Sequence, residues 1–458
     1  MLYLYQNLMI VMGVEKLFYK LIIDTLTSGK ITVSSQIDIF NTITTGERFQ
    51  LNAGYKSQAV RLNFENGLGP NVLKISSNVL KALSIPTNIP YQLIFSGKDL
   101  RLGPVIGLLM YKKRSAMTKE SLRKHLNYTL LYKNMGGLIY TFSIKDISFD
   151  THSVEGFYYN PLKDKWEKGI FPFPDAIYRR VSLSYKTMQR LKYYTSNRIF
   201  NSAYFSKLDY WNMASSSKSI AGHIPMTRKY SSFSDIDLML ENFTTLFLKP
   251  IDGMRALGLV KITKDKGQYS FQGKLDDRPI LISSRADAVK HFNEIKKKRT
   301  YIIQQSVDLL NFEDRYTDFR VIMQKDHTMD WQCTGIITSI GKQGGICSNY
   351  NEDDRYMQFE KFFEKYLKLD KKEIFLKKNE VIDVCKKACK VLDESGINCI
   401  DLGVDIGLDQ KLKPWIFELN NRFHCHYMTL YIKDYDMFFR VKANPIRYIV
   451  KLCGFEVE

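Results

Sequence analysis

An apolar strand that ends in a lysine, Leu246-Phe247-Leu248-Lys249-Pro250, runs into a segment that carries Gly253 and Gly258. Glycines let backbone N–H groups come close to an anion, and a lysine supplies a flexible point charge, so this pairing suits phosphate. A hairpin with a glycine turn has the same sequence signature. Farther on, Gly403-Val404-Asp405-Ile406-Gly407-Leu408 precedes a polar turn at 409–413 and then Trp415-Ile416-Phe417-Glu418-Leu419-Asn420. Two strands joined by a polar turn make a β-hairpin. Glu418 and Asn420, two apart, face one side, and Asp405 sits 13 positions before Glu418 (418 − 405) on the paired strand. Two carboxylates and an amide carbonyl that converge suit Mg²⁺, a hard cation that keeps waters and bridges phosphates. The polar face of a half-exposed hairpin would use the same residues.

The elements that must hold these groups belong to a folded, multi-unit chain. At 458 residues it exceeds the size at which one core stops growing, which predicts two or three packed units. Apolar residues at 45% and aromatics at 13% argue against disorder. The formal charge of +19 attracts polyanions in general, but the lysines occur in short groups such as 296–298, with no basic tail or aromatic-basic motif, which disfavours nucleic-acid binding as the main role. Seven cysteines without a CxxC pair fit reduced thiols in a cytoplasmic protein. Cys385 and Cys389 share a helix face and read as small core residues. His424, Cys425 and His426 are adjacent, so in extended structure the three are not expected to converge on a metal. Residues 1–13 are apolar but are interrupted by Glu15 and Lys16 too early for a membrane span, and they lack the features of a signal peptide.

Pattern reading places a β-rich unit over 1–100, with short pieces at 31–33, 61–64 and about 80–83. A second unit over 101–200 has a buried strand at 104–110, a helix over 119–135 and a buried strand at 137–142, which predicts a βαβ unit with a parallel sheet. Strands near 157–159 and 176–179 and a helix over 185–194 follow, then a turn-rich connection that ends at Pro225. The third unit, 201–458, alternates β and α elements, so the fold class is α/β, or α+β.

A Lys-Gly strand about 150 residues before an acidic hairpin is the layout of the ATP-grasp superfamily, which this sequence resembles. The resemblance implies that Gln304 or Gln305, in Tyr301-Ile302-Ile303-Gln304-Gln305, meets adenine. It implies that Asp318 lies near the ribose or metal and Arg320 near the transferred phosphoryl group, within Asp318-Phe319-Arg320-Val321-Ile322-Met323-Gln324. Lys207 stands where a further nucleotide-contacting lysine is common. As ordinary residues, the glutamines would be strand positions, Lys207 a solvated lysine, and Asp318 with Arg320 a surface pair.

More narrowly, the chain resembles the spore-coat-associated ATP-grasp family of the YheC/YheD type over about 60–450. The resemblance rests on the segments 102–109, Phe173-Pro174-Asp175-Ala176-Ile177-Tyr178-Arg179-Arg180, Leu248-Lys249-Pro250, Asp318-Phe319-Arg320 and Trp415 to Asn420. It implies a small β-rich amino-terminal unit and a pre-ATP-grasp domain ahead of the ATP-grasp domain. It further implies ATP and Mg²⁺ as cofactors, with Lys249 and Arg320 catalytic; Lys207, Lys249, Gly253, Gly258, Gln304, Gln305 and Asp318 on the nucleotide; and Asp405, Glu418 and Asn420 on the metal. The activity implied is ligation of an unidentified carboxylate to an amine or thiol through an acyl-phosphate. The alternative is a non-catalytic ATP-grasp-fold component of the spore coat, with coat proteins as partners. Two departures bear on turnover: Thr338-Ser339-Ile340-Gly341 stands where the family pattern has an arginine, and Asn349-Tyr350-Asn351-Glu352-Asp353-Asp354 where a Gly-Gly follows the asparagine.

Overall fold

The computed structural model describes residues 18–36, 43–202, 204–253, 256–274, 276, 278–348, 355–421 and 424–457. The apolar start at 1–13, residues 254–255 of the glycine segment and the loop at 349–354 lie outside the described residues. The chain divides into two compact units, one of 1–177, 182–198 and 450–458, the other of 178–181 and 199–449.

The first unit holds a seven-stranded mixed sheet built from Lys20–Asp24, Val72–Ser76, Lys30–Ser34, Lys56–Glu65, Glu47–Ala53, Asp99–Gly103 and Gln92–Ser96, in that spatial order. Its second sheet contains the expected βαβ unit: Val105–Tyr111 and Leu138–Ser143 pair in parallel and are buried at every position. Two expectations need correction, and one strand is additional. The piece near 80–83 is helical, Ser77–Leu83, because Val79, Leu80 and Leu83 fall on one face of a 3.6-residue period and are buried together. The helix expected over 119–135 is broken into Lys119–His125, a 3₁₀ turn at Leu126–Tyr128 and Tyr132–Met135. A strand that the sequence did not announce, Lys165–Pro172, pairs with Ser153–Asn160.

The second unit is two antiparallel sheets, each backed by helices. One sheet runs Thr227–Lys229, Tyr301–Gln305, Thr245–Pro250, Val260–Asp265, Gln268–Gly273, Ile280–Ile282. Its apolar face packs on the helices Phe233–Leu240 and Arg285–Lys296 around Phe271, Phe292 and Tyr301. The other runs Arg355–Gln358, Trp331–Gln343, Arg315–Lys325, Asp401–Leu408, Pro414–Asn420. It is backed by the long helix Lys371–Glu394, where an Asp370–Glu373 capping box satisfies the first-turn N–H groups. Cys385 and Cys389 lie fully buried on that helix beside Phe319, Val321 and Trp331, as core residues do. No helix among the described residues is long and apolar enough to cross a membrane.

Candidate functional site

Strand alternation turns the polar groups of both sheets toward one cavity of about 560 Å³. In Thr245–Pro250, Leu246 and Leu248 enter the core, so Phe247 and Lys249 face the cavity. In Arg315–Lys325, Phe319, Val321 and Met323 are buried on the helix side, which leaves Asp318 and Arg320 on the other. Register then aligns three functional groups: Arg320 pairs with Asp405, and Asp405 with Glu418, across three neighbouring strands. Asn420, two residues beyond Glu418, shares its side, and all of them line the cavity.

Within this row Arg320 grips Asp405 with two N–H groups: Nη2 donates to Oδ2 at 2.9 Å and Nε donates to Oδ1. Arg320 thus pairs with Asp405, not with Asp318 as a surface pair. Asn420 Nδ2 donates to Asp405 Oδ2 at 2.8 Å, which leaves its carbonyl oxygen available. Glu418 meets Lys207 Nζ at 2.9 Å, and the same ammonium donates to Gly253 O at 3.0 Å. Lys249 donates to Gln304 Oε1 at 2.5 Å, and its ammonium lies 5.4 Å from the Phe417 ring centre and 5.8 Å from that of Phe247. Burial pushes Lys249 down to about 8, against the opposing pull of Glu418. Burial, with the neighbouring Asp405 charge, pushes Asp318 up to about 7, although Ser348, Arg320 and Ser339 favour its ionised form. Ser339 therefore contacts the carboxylate of the D-x-R strand at the position where the resemblance expected an arginine.

The donor set fits a divalent cation on chemical grounds. Asp405, Glu418 and the free carbonyl of Asn420 are all oxygen donors. Burial and, after it, the neighbouring Asp405 charge disfavour the ionised form of Asp318, and a cation beside these carboxylates would offset both.

The remaining expected residues divide. Gln304 and Gln305 both line the cavity, but the Gln304 side chain is already bonded at both ends, to Lys249 and through Nε2 to Thr227 Oγ1 at 2.9 Å. Gln305 is tied to the neighbouring strand's lead-in, its N–H donating to Met226 O at 2.8 Å. Gly253 lines the cavity. Gly258 is not among the lining residues: with φ of +84°, a Cβ there would stand 2.8 Å from the Tyr301 hydroxyl, so its role is close packing.

Sequence reasoning missed a buried polar centre beside the row. Asp401, Gly403 and Asp405 alternate on one face of Asp401–Leu408. The Asp401 carboxylate accepts from the Tyr178 hydroxyl at 2.6 Å, Gln324 Nε2 at 2.7 Å and Arg180 Nη1 at 3.1 Å. Its oxygens also meet His424 Nε2 at 2.7 Å and His426 Nε2 at 2.9 Å. The expectation that the His-Cys-His triplet does not converge is thus half corrected. The two histidines, two apart, share a face and meet on Asp401, whereas Cys425 stays outside the cluster. The readable signal was the even spacing of both pairs. Arg180 Nη1 also lies 3.0 Å from His426 Nε2, which sets a guanidinium charge against this group.

These features define an ATP-grasp domain: two antiparallel sheets with a lysine-bearing strand on one and an acidic hairpin on the other. The chain belongs to the YheC/D-like ATP-grasp family, whose model matches residues 196–452. It is 23% identical over 396 residues to the endospore coat-associated protein YheD of Bacillus subtilis (strain 168), covering 81% of this chain and 84% of that one. It is 23% identical over 286 residues to the endospore coat-associated protein YheC of the same organism, covering 60% and 78%. Among solved structures, the ATP-grasp ligase PsnB in complex with a phosphomimetic variant of minimal precursor, Mg and ADP aligns with a TM-score of 0.41 at 11% identity, covering 74% of this chain and 98% of that one.

Proposed function

We propose that this chain binds ATP with Mg²⁺ in the cavity between the two sheets of its second unit and uses it to ligate a carboxylate to an amine or thiol. The observation that carries this is the in-register row Arg320, Asp405, Glu418, with Lys207 paired to Glu418 and Lys249 brought to the same cavity by the other sheet. Lys249 and Lys207 would hold the phosphates as point charges, and Gln305 and Gln304 would border the base. Asp405, Glu418 and Asn420 would hold Mg²⁺, which when bound screens phosphate charge. Arg320, already oriented by Asp405, would neutralise charge on the transferred phosphoryl group. Transfer to a carboxylate gives an acyl-phosphate that a second substrate displaces, so no side-chain nucleophile is required.

The test is ADP and phosphate release with Mg²⁺·ATP across a panel of amino acids and short dicarboxylates, with hydroxylamine present to trap acyl-phosphate as hydroxamate. Hydroxamate that depends on one carboxylate is the expected result. Nucleotide binding without turnover of any member would support a second reading, a nucleotide-binding component of the spore surface. That reading is favoured by Ser339 in place of the expected arginine, where it contacts Asp318, and by the names of the two relatives. The soluble state, compartment and coat partners belong to the same proposal.

A further inference from the structure

His424 is held in a way the nucleotide site does not require. It is 4% exposed, lines the cavity, and stands four residues beyond Asn420 on the same chain run. A Cβ placed on Gly403 would lie 2.9 Å from Arg320 Cδ and 3.2 Å from His424 Cβ, so the absent side chain of Gly403 is the space in which the arginine and the histidine come together. His424 is thereby seated beside the group assigned to the transferred phosphoryl.

Its two ring nitrogens have different surroundings. Nε2 faces Asp401 Oδ1 at 2.7 Å. Asp401 is fully buried and accepts from Tyr178, Gln324 and Arg180, and these donors, one of them a guanidinium, favour its ionised form. An ionised carboxylate only accepts, so Nε2 carries the proton. Nδ1 is buried and meets no hydrogen-bond partner among the described residues. Burial lowers the His424 pKa, with Arg180 and Arg320 adding to that and Asp401 opposing it. His426, whose ring centre is 4.7 Å away, is a further titratable group against it among the described residues. At neutral pH the ring is neutral, with a lone pair on Nδ1.

We propose that His424 Nδ1 takes the proton that turns the substrate ammonium into the attacking amine in the second half of the ligation, with Asp401 as its positioning residue. This rests on the ligase reading above. As the amine nitrogen forms its bond to the acyl carbon, the carbon–oxygen bond to phosphate breaks and phosphate leaves with the electron pair. Before the attack the substrate ammonium gives one proton to Nδ1, which frees the nitrogen lone pair, and the Asp401 carboxylate stabilises the imidazolium. The proton that the nitrogen sheds on acylation leaves with the phosphate, so the base is needed only by a nucleophile that is ammonium near neutrality.

The test compares wild type with His424→Gln, whose amide can still donate to Asp401 but has no basic ring nitrogen. Amino acids serve as both carboxylate and amine, and hydroxylamine, unprotonated near neutrality, serves as a nucleophile that needs no base. The measured quantity is the ratio of amide to hydroxamate formed. A fall in that ratio of about 100-fold or more is expected; an unchanged ratio overturns the proposal. Independently of the variant's folding, ¹⁵N resonances of labelled histidine in the wild-type protein, which has seven histidines, report the tautomer. A bare Nδ1 on His424 at pH 7 supports the role, and a protonated Nδ1 refutes it. If wild type binds ATP but forms no hydroxamate with any carboxylate, the ligase reading falls and the role of His424 with it.

Discussion

Replacing Lys249 by alanine probes the phosphate wall of the cavity. The ammonium is half-buried in the cavity wall, donates to Gln304 and is framed by Phe247 and Phe417, which reduces its screening by water. A hydrogen bond from such a charged donor to phosphate contributes roughly 1.5–3 kcal/mol. At about 1.4 kcal/mol per tenfold, Lys249→Ala should weaken ATP by about 10- to 150-fold in calorimetric titration with Mg²⁺. The lowered pKa adds a second signature. With Lys249 pushed down to about 8, the free protein holds the charge on about nine-tenths of molecules at pH 7 and about one-tenth at pH 9. Bound phosphate favours the charged form, so wild-type affinity should fall about tenfold between those pH values, losing strength as pH rises through 8. The alanine variant should not show this fall, because no proton is linked to its binding. A variant that binds as tightly as wild type, or a wild-type affinity that is flat across this range, would refute the placement of Lys249 on phosphate.

Two further predictions concern the hairpin and its support. Arg320→Lys should keep ATP affinity within a few-fold but lower the rate of ADP release by at least about tenfold, because a single ammonium cannot reproduce the two-pronged grip on Asp405 and the planar charge toward phosphate; a full rate would show that Arg320 only supports the fold. Phe319→Ala removes a fully buried ring packed against Phe359, Phe362 and Phe363 and should cost about 3–5 kcal/mol in guanidinium unfolding; a loss below 1 kcal/mol would contradict the packing described.

Much of the site was legible because strands have a period of two. Glu418 and Asn420 share a side for that reason, and the polar turn at 409–413 fixed the hairpin that sets Asp405 opposite Glu418. The same rule, applied to Asp401 and Asp405 or to His424 and His426, would have revealed the buried centre. What it could not supply is long-range register: nothing local says that Arg320 falls opposite Asp405, or that Arg180, some 220 positions earlier, reaches Asp401 (401 − 180 = 221). Short elements were the weaker part of the fold. Seven residues at 77–83 carry too little periodicity to separate strand from helix, and the helical stretch over 119–135 holds its breaks at Leu126–Tyr128 by tertiary packing of Tyr128 and Leu131 rather than by a proline or glycine.

Titration of the protein with ATP at a series of Mg²⁺ concentrations, comparing wild type with Glu418→Gln, tests the nucleotide site most directly. Glu418 offers its carboxylate to the cavity and meets Lys207 at 2.9 Å, so the amide removes one metal-binding charge while keeping the shape. Saturable binding by wild type that strengthens with Mg²⁺, and a variant shifted to at least about tenfold higher Mg²⁺, is the predicted result. Absence of ATP binding by wild type at millimolar concentration, or a Glu418→Gln variant with an unaltered Mg²⁺ requirement, would contradict it.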